Sequence, residues 1–298
     1  MKAVRLQSYG DVDQLQLEDV PVPTPGAGEV LVKLEASAVN HFDLFVRQGY
    51  MAQMIPLALP AILGGDGAGT IAAVGPDVSG FVVGDRVIAN FPVNGAGAHA
   101  EYGVASVNGV AKLPANVNYE TGVTLPLVGL TGRQVVDVLG VKAGDRVLVA
   151  GALSAVGRVA VHYLKQLGAK PVAGVLPDEL AEGEKLAGEA LDITVAPGKA
   201  EFDFAVAAVQ PAAANAVKHV RDGGKIGSSV QAPEGANPNV TFQTVYHQQD
   251  GKQLQQIADA AGRGELTIPV ARTFGLADLG QAHQALAAGP RGKIVVTH

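Results

Sequence analysis

The sequence predicts an α/β chain of two domains, one β-rich and the other a doubly wound parallel sheet with helices on both faces. Three observations carry this. Up to about residue 117 the apolar runs are short, β-branched and bounded by Gly and Pro. From 118 to 266, short apolar runs alternate with amphipathic stretches, the pattern of strands buried on both faces by crossover helices. From 267 the first style returns. The β-rich domain is therefore expected to comprise 1–117 and 267–298, and the parallel-sheet domain 118–266.

In the first domain, KAVRLQ (2–7), EVLVKLEA (29–36), TIAAVG (70–75) and DRVIAN (85–90) read as strands, with turn-forming segments such as PVPTPGAGE (21–29) between them. In the second, VLVAG (147–151) is a short apolar strand, and VGRVAVHYLKQLG (156–168) is an amphipathic helix ending at a glycine. PVAGV (171–175), DITVA (192–196), DFAVAAV (203–209) and GKIGSSV (224–230) are further buried strands. A helix through ADLGQAHQALAAG (277–289) and a strand through RGKIVVTH (291–298) close the chain.

Composition narrows the function classes. With 48% hydrophobic and 17% charged residues among 298, the chain can bury a substantial core. A net charge of −6 argues against a nucleic-acid or anionic-membrane partner, since both reward a basic surface. No run approaches the roughly 18 apolar residues of a spanning helix. The opening MKAVRLQSYG lacks the features of a secretory signal, so a cytoplasmic location is expected. There is no cysteine, which excludes disulfides, thiolate nucleophiles and sulfur-rich zinc sites.

The segment VLVAGALSAVGRVAV (147–161) carries the most chemistry. A strand runs into a turn of Gly151, Ala152, Leu153, Ser154, Ala155, Val156 and Gly157, and a helix follows. Unsatisfied N–H groups at a helix start attract a pyrophosphate, and glycines let the main chain approach it. The usual G-x-G-x-x-G is replaced by G-A-L-S-A-V-G, and a plain strand–turn–helix corner could look the same. The second strand ends at Val175, where a ribose is commonly read. No acidic residue ends that strand, which permits NADP, yet no basic residue follows to hold a 2′-phosphate. Asp178, Glu179, Glu182 and Glu184 follow instead, as an exposed acidic first helical turn or as a field that repels phosphate.

Several segments, in order along essentially the whole chain, carry a family resemblance. They are MKAVRLQSYG, PVPTPGAGEVLVKLEASAVNHFDLFVRQGY (21–50), GGDGAGTIAAVG (64–75), GDRV (84–87), AHAEYGV (98–104), LPLVGLTGRQ (125–134) and RGKIVV (291–296). Together they resemble the zinc-free medium-chain dehydrogenases/reductases of the quinone oxidoreductase and ζ-crystallin-like branch. The resemblance implies a GroES-like β-rich catalytic domain and a Rossmann-type dinucleotide-binding domain. It implies NADPH as cofactor, with NADH open, and a small-molecule quinone or α,β-unsaturated carbonyl (enone) as substrate. It also implies a homodimer, formed by a strand such as those in ITVAPGKAEFD and PNVTFQTVYHQQ (238–249) pairing across a two-fold axis; an ordinary edge strand would read the same from sequence.

Against zinc enzymes of the same superfamily, the chain has Asn40 in place of a catalytic Cys and Gly65 in place of a metal-binding His. The cysteine-rich lobe after GDRV is missing, and His41 with Asp66 are too few ligands for zinc. No metal is expected. In zinc-free members the residue at Asn40 is implied to lie beside the nicotinamide and a substrate oxygen, where an amide donates a hydrogen bond without adding a proton equilibrium. Thr131 matches a residue near the nicotinamide carboxamide. Phe45 stands at one place where a tyrosine is frequent, and Tyr50 lies close to another. Leu180 replaces a lysine of NADP-selective members, and Arg133 an aromatic. The expected activity is zinc-independent hydride transfer from NAD(P)H. The alternative is a dinucleotide-binding sensor or scaffold on the same fold.

Overall fold

The computed structural model describes residues 1–93 and 95–298. The chain opens with β1 (Lys2–Leu6), β2 (Leu15–Asp19), β3 (Glu29–Val39), α1 (His41–Arg47), β4 (Ala61–Ile62), β5 (Asp66–Val74), β6 (Arg86–Asn90), β7 (Tyr102–Ser106), β8 (Val110–Lys112) and α2 (Tyr119–Gly122). There follow α3 (Pro126–Asp137), β9 (Arg146–Ala150), α4 (Ala155–Gln166), β10 (Lys170–Val175), α5 (Leu180–Ala187), β11 (Ala190–Asp192), β12 (Phe202–Ala207), α6 (Gln210–His219), β13 (Val220–Ser228) and β14 (Thr241–Thr244). Last come α7 (Gly251–Gly262), β15 (Val270–Gly275), α8 (Leu279–Ala287) and β16 (Lys293–Thr297).

Two compact units result: Met1–Leu127 with Gln249–His298, and Val128–Gln248. Helix α7, read from sequence with the parallel-sheet domain, falls in the first unit because it packs on β8. Gln255 of α7 accepts from the Lys112 N–H (2.8 Å) and donates to the Lys112 carbonyl (3.1 Å).

The first unit is the β-rich one. Its larger sheet runs β15-β16-β3-β5-β6-β8, with β7 also paired to β3, and a smaller sheet runs β2-β1-β4. Strand β3 is its spine, pairing antiparallel with β5, β7 and β16. Alternation puts Val30, Val32 and Leu34 on one face, where they close over Ile71, Val87 and Phe91.

The second unit is a six-stranded, wholly parallel sheet in the order β11-β10-β9-β12-β13-β14. Strand β9 shows why its sequence is continuously apolar. Val147 and Val149 pack on one face with Val161 and Leu164 of α4, while Leu148 and Ala150 pack on the other with Ala213 and Val217 of α6. A side chain such as Leu148, fully buried, contributes about 2 kcal/mol.

One expected strand is corrected. DITVA (192–196) is not extended: β11 ends at Asp192, whose carboxylate accepts from Thr194 N (2.9 Å) and Oγ1 (2.6 Å). That local bond turns the chain before Val195, which stands exposed. The run at 238–249 is also shorter than its composition suggests, with only Thr241–Thr244 laddered to β13.

Candidate functional site

In the first unit, Asn40 is the N-cap of α1, where β3 ends. Its position is fixed by Asp43, whose Oδ2 accepts the Asn40 backbone N–H at 2.8 Å. Its side chain is buried and held at both ends: Nδ2 donates to Asp66 Oδ2 at 2.9 Å, and Oδ1 accepts from Lys293 Nζ. Because an ammonium only donates and a carboxylate accepts, these two partners fix the amide's orientation. One hydrogen on Nδ2 lies outside both bonds.

Asp66, at the start of β5, is fully buried. Oδ1 accepts the Leu127 N–H at 2.7 Å, and Oδ2 also faces Lys293 Nζ at 3.4 Å. Lys293, the first residue of β16, is itself buried, so a closed cluster contains one ammonium and two carboxyl groups. Burial pushes the Asp43 carboxyl up to about 7, and the Asp66 charge adds to that; the Asn40 N–H and Lys293 oppose it. The His41 imidazole is pushed down, first by burial and then by Lys293. Among the described residues no group of three or more His, Asp or Glu is arranged to hold a metal ion.

Tyr50 is not part of this cluster. It lies past the opposite end of α1, separated from Asn40 by roughly 10 Å of helix, and is 73% exposed beside Phe45.

In the second unit, the turn after β9 has the geometry of a phosphate cradle. Gly151 sits at φ +80°, which favours glycine, and a Cβ there would lie 2.6 Å from Val209 Cγ2. A Cβ on Gly157 would lie 2.2 Å from the Gly151 carbonyl oxygen, so α4 closes on the turn only with glycine there. Ser154 has φ −66° and ψ 163°, an extended conformation open to any residue, so the backbone itself does not require a glycine there. As N-cap, its Oγ accepts the Gly157 N–H at 3.1 Å. Ala152 is buried, Leu153 forms the crest, and Ala155 and Val156 present the first-turn amides of α4, which no helix satisfies internally. Val175 ends β10 beside this turn, with the Gly151 N–H donating to the Gly174 carbonyl at 2.9 Å. These residues fit a dinucleotide pyrophosphate. Thr131, buried in α3, has its hydroxyl 3.3 Å from His247 Nδ1.

Three residues escaped sequence reasoning. Asp66 reads from the sequence only as a would-be metal ligand. Lys293 gave one signal, a lone charge opening the apolar strand KIVVT. Arg158, just past Gly157, donates from Nε to the Leu153 carbonyl (3.1 Å) and from Nη2 to Glu182 (2.5 Å). An open hollow near Lys218 and Asp222 lies at the other end of the strands and contains none of these groups.

Comparison with known proteins gives two family matches: the alcohol dehydrogenase GroES-like domain over residues 26–115, and zinc-binding dehydrogenase over 185–296. A chloroplastic quinone-oxidoreductase homolog of Spinacia oleracea is 31% identical over 224 residues, covering 69% of this chain and 67% of the other. The quinone oxidoreductase of Homo sapiens is 36% identical over 188 residues, 62% of this chain and 55% of that one. The chain spans about half the length of several curated relatives it matches, including this one. Among solved structures, a mycobacterial protein complexed with NADPH superposes with a TM-score of 0.81 at 26% identity, covering all of both chains.

Proposed function

Since the chain belongs to the quinone oxidoreductase family of medium-chain dehydrogenases/reductases, we propose that it reduces quinones or α,β-unsaturated carbonyl compounds with NADPH or NADH, without zinc. The observation that carries this reading is the Asn40–Lys293–Asp66 cluster. A buried ammonium sits against the side chain that replaces a zinc-binding cysteine, and it would repel a dication.

A nicotinamide, when bound, supplies the hydride. The protein's part is binding, orientation and charge. Gly151 and Gly157 let the backbone close on the pyrophosphate, and the amides of Ala155 and Val156 donate to it. Thr131 orients the carboxamide. Asn40, held by Lys293 and Asp66, offers its remaining Nδ2 hydrogen to the substrate oxygen as negative charge develops. Tyr50 lines the substrate's approach, and water delivers the proton. The assembly is a homodimer built on β14, the edge strand of the parallel sheet.

The test is NADPH and NADH titration by fluorescence, followed by a screen of quinones and enones with whichever binds. Oxidation of the bound dinucleotide by one of these classes is the expected result. Tight binding without turnover on any of them would leave a sensor in place of an enzyme.

A further inference from the structure

We propose that Arg158 is the residue that selects NADPH over NADH in this chain, exchanging its bond to Glu182 for one to the 2′-phosphate of the adenosine ribose. The proposal rests on the reading that the turn after β9 holds a dinucleotide, and it goes beyond that reading by assigning the cofactor choice to one side chain.

Strands β9 and β10 are parallel neighbours, so the turn that follows β9 and the loop that follows β10 lie side by side at the carboxyl edge of the sheet. That is where an open parallel sheet binds its ligand, and where the second strand's end meets the ribose. Arg158 reaches across this edge. It starts in the first turn of α4, is pinned at Nε to the crest carbonyl of Leu153, and ends at Glu182 in the first turn of α5. Its guanidinium therefore spans the two β–α connections. The segment 176–184 after β10 contains no Lys or Arg, so no nearer cation is available there to a 2′-phosphate.

The two partners of Arg158 differ in permanence. The Leu153 carbonyl belongs to the turn and cannot leave. Glu182 is 52% exposed, against 15% for Arg158, so its carboxylate can rotate into water while the guanidinium stays in place. Nη1 takes part in neither bond and supplies further donors on the same plane, the fork geometry suited to a phosphate. A 2′-phosphate, with up to two charges, outcompetes one solvated carboxylate; a neutral 2′-hydroxyl does not. Glu179, a second carboxylate of this loop, accepts the Leu176 N–H at 3.2 Å.

The test compares wild type, R158Q and E182Q by calorimetric titration with NADPH, NADH, adenosine 2′,5′-bisphosphate and 5′-AMP. The expected result is tighter wild-type binding of NADPH than of NADH. R158Q should weaken NADPH and the bisphosphate about 10- to 100-fold, with NADH and 5′-AMP nearly unchanged. E182Q keeps the Leu153 anchor and removes the competitor, so it should tighten NADPH several-fold. Equal loss for both dinucleotides in R158Q, or no loss, or a wild-type preference for NADH, overturns the proposal. Should R158Q fail to fold, E182Q decides alone, and unchanged or weaker NADPH binding overturns it. Wild-type protein that binds neither dinucleotide sinks the underlying reading and this proposal with it, whereas binding that ignores Arg158 sinks this proposal only.

Discussion

Asn40 and Lys293 meet across 253 residues of sequence, with the amide oxygen accepting from the ammonium while the amide nitrogen donates to Asp66. The ammonium is also the charge partner of a fully buried carboxylate. Lys293→Met therefore strands the Asp66 charge and should cost about 3–5 kcal/mol of unfolding free energy. The double variant Lys293→Met/Asp66→Asn removes both charges and should recover most of that loss. Urea unfolding of wild type, Lys293→Met, Asp66→Asn and the double variant measures the coupling, and additive effects would contradict a shared cluster.

Asn40→Ala separates orientation from cofactor binding. Turnover of the best substrate should fall about 100-fold, the size of effect seen when one donor to a developing oxyanion is removed. The NADPH dissociation constant should stay within error, since the phosphate cradle lies in the other unit. Single-turnover kinetics beside equilibrium titration distinguishes the two.

Gly157→Ala brings a methyl group against the Gly151 carbonyl oxygen. The turn must open, costing about 1–3 kcal/mol in stability and most of the dinucleotide affinity. Ser154→Ala loses only the cap to the Gly157 N–H, about 1 kcal/mol, and frees that donor for phosphate. Its dinucleotide affinity should hold. Thermal melts with and without NADPH read both effects.

His283 contributes to acid instability, in the same sense as the buried His99 and His298, whose imidazoles burial also pushes down. Its pKa is pushed down to about 3, mainly by burial and further by the Arg47 charge, and neither ring nitrogen has a hydrogen-bond partner among the described residues. The unfolded chain takes up this proton below about pH 6.5 while the folded chain does not, so stability falls as pH drops from 6.5 towards 3. His283→Leu removes the titration, and its urea midpoint should decline less than that of wild type between pH 7 and pH 5.

Asp43 works in the opposite sense. Its folded pKa, raised to about 7 from 3.8, makes the folded chain the stronger proton binder between those values. That contribution is complete below 3.8 and lost as pH rises through 7. Asp43→Asn keeps an acceptor for the Asn40 N–H without the charge. The variant should gain stability relative to wild type at pH 8 compared with pH 5, again by urea midpoints.

The division into a β-rich unit and a parallel sheet was legible because it depends on local periodicity, and the strand–turn–helix after β9 because Gly151 and Gly157 bracket one turn. Ser154 needs no positive φ, and its role as N-cap of α4 to the Gly157 N–H is a matter of geometry that residue identity alone does not reveal. The strand expected at 192–196 failed because Ile193 and Val195 look extended, while an Asp two residues before a Thr closes a turn. Lys293 and Arg158 stayed hidden for another reason. Their partners lie 227 and 24 residues away, and no spacing rule links groups that only the fold brings together.

The cluster's membership also sets an order of assembly. Asp66 and Asn40 are synthesised before the ammonium they require, which belongs to β16, 227 and 253 residues later. Everything needed for the parallel sheet, Val128–Gln248, is synthesised in between. A nascent chain can thus complete its inner unit while the outer one still holds a carboxylate without its counter-ion. Final closure of the β-rich unit is a late, long-range event. Loss of β16 by truncation should leave the parallel-sheet unit folded and the β-rich unit unable to finish.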